Sequence, residues 1–191
     1  MPRTKYDPQS YTARTPPTTD RDVLNLGCGA DTPDSYTNVD VVDLPGVDVV
    51  HDLEETPWPF EAESFDRVIA KHILEHLETI PWGEIQRVLR PNGYFTWVYP
   101  IGHTRFEDSQ HKHYWNYNTA AQVTGERKHD HESQLEMDLI GRNVWWELTN
   151  DNRITRWRVR YRLWKYGPGP WMSQIPGLYG EVEAQYRMGQ A

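Results

Sequence analysis

Two glycines separated by one residue, Gly27 and Gly29, follow the apolar run Val23 to Leu26 in the stretch "VLNLGCGADTPDSYTNVD". A strand that ends in Gly-x-Gly enters its turn with no Cβ in the way, so a ligand can lie against the main chain. Asp40 closes the next apolar run, where a carboxylate can accept hydrogen bonds from both hydroxyls of a ribose. A dinucleotide fingerprint would want a third glycine near position 32 and its acid about 20 residues beyond the glycines. This chain has Thr32 there and an earlier acid. Asp31 and Asp34 add negative charge where a pyrophosphate would sit. The turn therefore suits a nucleoside with a cationic tail, and nicotinamide-dependent redox chemistry is disfavoured.

Histidines form the second chemical cluster. "HILEH" sets His72 and His76 four residues apart with Glu75 between them, a spacing that can bind a metal ion on a helix. "HKH", which contributes His111 and His113, and "HDH" further on add to that suspicion. No third ligand lies close in sequence, and His76 and Glu75 can equally cap and pair on a helix, so no metal site is expected.

The elements that must position these residues are short apolar runs bounded by turn residues: "DVLNL", "TNVDVV", "VDVVHDL", "DRVIA" and "YFTWVYP". Runs rich in Val and Ile read as strands buried on both faces of a parallel sheet. Between the fourth and fifth runs, "KHILEHLETIPWGEIQRVLRPNG" has helical spacing, is divided by Pro81 and is stopped by "RPNG". The expected class is α/β, a single Rossmann-like domain with a mostly parallel twisted sheet and an antiparallel C-terminal strand. Parallel neighbours normally need a crossover of a dozen or more residues, yet only "DLPG" separates the second and third runs. Crossover helices in the N-terminal half are therefore expected to be abbreviated to loops.

Beyond Pro100 the pattern changes. "IGHTRFEDSQHKHYWNYN" reads as a polar, aromatic loop, "TAAQVTGERKHDHESQ" as a short helix with a charged turn, and "LEMDLIGRNVWWELT" as a long strand. Ile154, Trp157, Tyr161 and Trp164 fall on one face of a helix within an arginine-rich segment. Its arginines could grip a phosphate backbone, or form an ordinary solvated face. "GEVEAQYRM" alternates as a final strand. Met1 to Asp20, rich in Pro and Thr, reads as a mobile N-terminal arm ahead of one domain over 21–191, with residues 21–100 as the ligand-binding half and 101–191 as the substrate side.

Taken together, "VLNLGCGAD", "NVD", "VVHDL", "FDRVIAKHILEHL" and "RVLRPNGYF" resemble the successive motifs of class I S-adenosylmethionine-dependent methyltransferases, especially the small type-11-like group. The resemblance spans about half the chain and implies S-adenosyl-L-methionine as cofactor. It implies that Gly27, Cys28 and Gly29 line the methionine moiety and that Asp40 holds the ribose. Asp52 and Leu53 would flank the adenine, and Lys71 and His72 would sit beside the sulfonium and the acceptor. Asn25 stands where the family most often has an acid, and so belongs to the cofactor set as a departure from it. Methyl transfer is an in-line displacement that depends mainly on positioning, with a general base only where the nucleophile must lose a proton. Candidates for that base are His72, Asp108, His111 and His113. A non-catalytic binding or structural module that keeps the fold is the alternative reading.

Composition bounds the rest. The chain of 191 residues suits one core with appendages. A net charge of -8 argues against nucleic-acid binding by the whole surface, leaving a small molecule or a nucleic acid as methyl acceptor. No apolar run approaches the ~20 residues of a membrane span, no membrane partner is expected, and the expected compartment is the cytoplasm. One cysteine excludes a disulfide scaffold.

Overall fold

The computed structural model describes residues 22–102, 104–125, 134–148, 161–162 and 178–190. The N-terminal arm expected at Met1 to Asp20 lies outside the described residues. Eight strands form one sheet in the order β3-β2-β1-β4-β5-β8-β6-β7. These are β1 (Val23–Leu26), β2 (Thr37–Asp40), β3 (Val49–Val50), β4 (Phe65–Lys71), β5 (Leu89–Gly102), β6 (Met137–Leu148), β7 (Tyr161–Arg162) and β8 (Leu178–Met188). The first five are parallel neighbours, whereas β8 is antiparallel to both β5 and β6. The α/β class, the largely parallel sheet and the antiparallel last strand are as the sequence predicts.

The expected abbreviation of crossovers is equally plain. Residues 27–36, 41–48 and 51–64 join parallel strands without any helix. Side chains and backbone groups hold these loops instead. Cys28 N–H donates to Val39 O, Asn38 N–H donates to Asp48 Oδ2, and His51 N–H donates to Asp40 O. The buried Trp58 indole fills the space beneath the third loop and donates to Leu53 O at 2.9 Å. Each bond satisfies a backbone group that a helix would have satisfied internally.

Consecutive residues are buried through Leu24–Leu26, Thr37–Val39, Val68–Ala70 and Trp97–Gly102, as expected of strands covered on both faces, whereas β8 and the start of β5 alternate. Along β8, Val182, Ala184 and Tyr186 are buried while Glu181, Glu183 and Gln185 between them are only half-buried. On β5, Phe95, Trp97 and Tyr99 are buried while Tyr94 is exposed. The covered face carries α1 (Trp82–Val88) and α2 (Thr119–Gln122), the only α-helices among the described residues. With so few helices, a strand whose second face meets water must alternate. Ile85 and Val88 of α1 are buried, and Trp82 meets Trp97 edge-on at 5.4 Å between centroids.

Two helical expectations need correction. Of the "HILEH" piece, only Leu74–His76 is helical, and it is a single 3₁₀ turn. The apolar spacing is real, since Leu74 and Leu77 are buried, but the backbone enters at His72 with φ +50° and leaves extended at Leu77. In the arginine-rich segment, Tyr161–Arg162 is the strand β7, paired with Asn143 and Val144 of β6, rather than part of a helix. The rest of that segment lies outside the described residues. The expected stop at "RPNG" stands: α1 ends at Val88, and Asn92 takes φ +64°.

Candidate functional site

In an open parallel sheet, ligands bind beyond the carboxyl ends of the strands, where the strand order reverses direction. That point lies between β1 and β4, since the chain runs from β1 outward to β2 and β3 before returning to β4 on the other side. The turn after β1 and the turn after β4 both open there.

Gly27 and Gly29 have φ of +58° and +53°, so both occupy the left-handed region that favours glycine. Their surroundings differ. A Cβ on Gly27 would meet Ile73 Cγ1 at 2.3 Å, whereas one on Gly29 would meet nothing within 4 Å. Gly27 thus lets the two turns close against each other, and Gly29 faces open space where a ligand can approach the backbone. Cys28 between them is buried, and burial together with the nearby Asp40 carboxylate pushes its thiol up to about 12. It is a small apolar wall, not a nucleophile.

Asp40, at the tip of β2, is held from both sides. Its Oδ2 accepts from Gly29 N–H at 2.8 Å and its Oδ1 from Val42 N–H at 2.9 Å. Each oxygen keeps a second lone pair, so the carboxylate can still receive hydroxyl donors. Asn25 is buried on β1, and its amide nitrogen donates to Asp31 O at 2.8 Å and Asn38 Oδ1 at 3.1 Å. The asparagine ties the Gly turn to β2. Asp52 is half-buried and caps its own turn by accepting from Glu54 N–H, and Leu53 is buried beside it after β3. Lys71, at the end of β4, reaches across to Asp31 with a 3.1 Å ion pair; both groups are more than half exposed.

His72 begins the turn after β4. Its Nε2 lies 3.0 Å from Glu181 Oε2 and its Nδ1 lies 3.4 Å from Glu75 Oε1. The hydrogen bond to Glu181, and then the proximity of Glu75, overcome burial and raise this imidazole to about 9. Glu181 comes from β8, 109 residues away. No sequence signal pointed to it, because in the alternating "GEVEAQYRM" it reads as one more solvent-facing acid.

The loop after β5 folds back onto this turn. Backbone N–H groups of Lys112 and His113 both donate to Glu75 O, at 2.7 and 3.3 Å. His111 Nδ1 lies 2.9 Å from Arg105 O, and its ring meets His76 edge-on at 4.8 Å. His113 stacks flat on Trp115, and its Nε2 is buried with no hydrogen-bond partner. Asp108 is exposed and caps a turn through Gln110 N–H at 2.8 Å. The imidazoles of His72 and His111 therefore come close to Glu75, His113 meets it only through its backbone N–H and turns its ring onto Trp115, and Asp108 stays at the rim. No helix among the described residues is long and apolar enough to cross a membrane.

Comparison with known proteins bears on the fold and the family. Residues 30–97 match the family model described as a methyltransferase domain. A SAM-dependent methyltransferase from Thermotoga maritima superposes with a TM-score of 0.57 at 12% identity, covering 86% of this chain and 81% of that one. A SAM dependent methyltransferase from Archaeoglobus fulgidus gives 0.51 at 15% identity, over 87% and 86% of the two chains. A Bacillus halodurans protein gives 0.58 at 13% identity, over 88% and 92%. No curated protein sequence matches the chain.

Proposed function

We propose that this chain, residues 30–97 of which match a methyltransferase domain, moves a methyl group from S-adenosyl-L-methionine to an acceptor held between the turn after β4 and the loop after β5. The observation that carries this reading is the Gly27–Gly29 turn clasped to Asp40, with a carboxylate at the tip of β2 and open space above Gly29.

In this reading the Gly27, Cys28 and Gly29 backbone supports the methionine moiety, Asp40 receives the ribose hydroxyls, and Asp52 with Leu53 flanks the adenine. Asn25 acts indirectly by fixing the turn, and Lys71 and His72 border the sulfonium. An acceptor lone pair attacks the methyl carbon as the carbon–sulfur bond breaks, leaving S-adenosylhomocysteine; the site's main contribution is to hold the two at attack distance. Where the acceptor carries a proton, a base takes it. His113, with its unpartnered Nε2, is favoured over Asp108, whose carboxylate caps a turn at the surface. His72, flanked by two carboxylates, is better suited to orienting than to accepting a proton. The acceptor is a small molecule or a nucleic acid.

A non-catalytic module is the second reading. It draws on Asn25, whose amide nitrogen is committed to internal bonds rather than to a ligand. Calorimetric titration with S-adenosylmethionine, followed by incubation of the labelled cofactor with fractionated cell extract, separates the two. Binding with labelled product is expected. Binding without product favours the module, and no binding at millimolar cofactor by a folded sample overturns the methyltransferase reading.

A further inference from the structure

Glu75 is the strangest residue in the molecule. Its side chain is completely buried, yet neither carboxylate oxygen accepts a hydrogen bond. The His72 imidazolium stands 3.4 Å from one oxygen and offsets part of the charge, but it makes no hydrogen bond to Glu75 and its other nitrogen is engaged by Glu181, so both oxygens keep open lone pairs. A buried carboxylate left in this state is costly unless a cation completes its surroundings. Two further donors face it. Ligand atoms of Glu75, His76 and His111 all lie within 4.8 Å of one another.

We propose that Glu75, His76 and His111 bind a divalent first-row transition ion of the zinc class. "HILEH" alone offered no third ligand near in sequence; the fold delivers it from the loop after β5, 35 residues beyond His76. Metal–nitrogen and metal–oxygen bonds of about 2.0–2.2 Å in a tetrahedral sphere set donors about 3.4 Å apart, so the three side chains close by about an ångström on the ion, a movement within reach of rotamer adjustment at the half-buried histidines. The histidine chemistry fits as well. With Nδ1 of His111 facing the Arg105 carbonyl at 2.9 Å, that nitrogen carries the proton and Nε2 keeps the lone pair a metal needs. Ligating histidines are commonly oriented through their other ring nitrogen by such a carbonyl. The scaffold is fixed too: the two backbone donations from Lys112 and His113 to Glu75 O lock the loop that carries His111 onto the turn that carries the other two ligands. Two imidazoles and one carboxylate suit zinc or a neighbouring transition ion better than magnesium or calcium, which prefer all-oxygen ligands. Three protein donors leave a position open, as in metal sites that handle water or a substrate oxygen. The site goes beyond the cofactor reading and lies on the same two elements that border the proposed acceptor.

The test uses the full chain, stripped with a chelator and titrated with Zn²⁺ by calorimetry, with Co²⁺ absorption reporting ligand type. One equivalent is expected to bind, with a visible Co²⁺ spectrum of nitrogen and oxygen ligation. Glu75→Gln and His111→Ala should each weaken binding by about 100-fold or more, beyond the range of outer-shell changes. A His129→Ala/His131→Ala variant, which removes the other histidine pair, should bind as tightly as the parent. His111 is only half-buried, so its variant remains informative where Glu75→Gln does not fold. Absence of stoichiometric binding, or binding unchanged in His111→Ala, overturns the proposal. S-adenosylmethionine titrated into the metal-free chain is scored separately, so failure of the cofactor reading is distinguishable from failure of the metal site.

Discussion

Asp40 meets its own turn and a proposed ligand with the same two oxygens, and this double duty makes its replacement informative. Asp40→Asn keeps the shape but offers one acceptor oxygen and no charge. Hydrogen bonds to charged groups contribute about 1.5–3 kcal/mol, so S-adenosylmethionine affinity should fall about 10- to 100-fold by calorimetry. Cys28 is the counterpart that should do nothing. A thiol raised to about 12 carries very little thiolate at neutral pH. Its alkylation at pH 8, followed by mass spectrometry, should be about 1,000-fold slower than that of a free cysteine and should rise with pH.

At the scale of elements, the paired glycines separate stability from binding. Gly27→Ala drives a methyl group into Ile73 at a positive φ, so it should unfold at clearly lower temperature, by about 2 kcal/mol or more. Gly29→Ala meets no neighbour and should cost only about 1 kcal/mol of backbone strain while still weakening cofactor binding. Thermal melts and calorimetry on both variants check the contrast. The loop between β3 and β4 depends on a different device. Glu84 on α1 pairs with Arg87 through two contacts of 2.7 and 2.8 Å and also accepts from Trp58 N–H. The Arg87 hydrogen bond holds the Glu84 carboxyl below its usual range. A carboxyl depressed in the folded state adds stability above its unfolded pKa and loses it as pH falls through the folded one. Melting temperature measured from neutral toward acid should therefore drop less in Glu84→Gln than in the parent.

Elements are also where sequence reading succeeded and failed for physical reasons. Strands β1 to β5 were legible because apolar runs and turn residues are local signals, and so was the tight turn at Gly27 and Gly29, whose positive φ is a property of the local backbone. The 3₁₀ turn at Leu74–His76 was misread because an apolar spacing of three or four residues does not report how many turns the chain has room to complete. β7 was misread because strand pairing with β6 is a long-range fact that a helical spacing pattern cannot exclude. Glu181 beside His72 and His111 beside His76 were invisible for the same reason: each joins residues brought together only by the folded chain.

For the whole molecule, the position of β8 matters most. It is the last strand in the chain, yet it lies inside the sheet between β5 and β6, and Val182, Ala184 and Tyr186 belong to the core. A chain ended after residue 177 would expose both of those neighbours and remove Glu181 from His72, so it should show no cooperative thermal transition. The pairings Tyr94 with Arg187 and Gly102 with Tyr179 also have a kinetic meaning. Contacts this far apart in sequence must wait for large loops to close, and proteins dominated by them fold on the slow side, in milliseconds to seconds. During synthesis, β5 is complete long before its partner leaves the ribosome, and its open edge must stay unpaired in the meantime. The strand that finishes the fold thus sets the interval in which the nascent chain is most exposed to association with other chains.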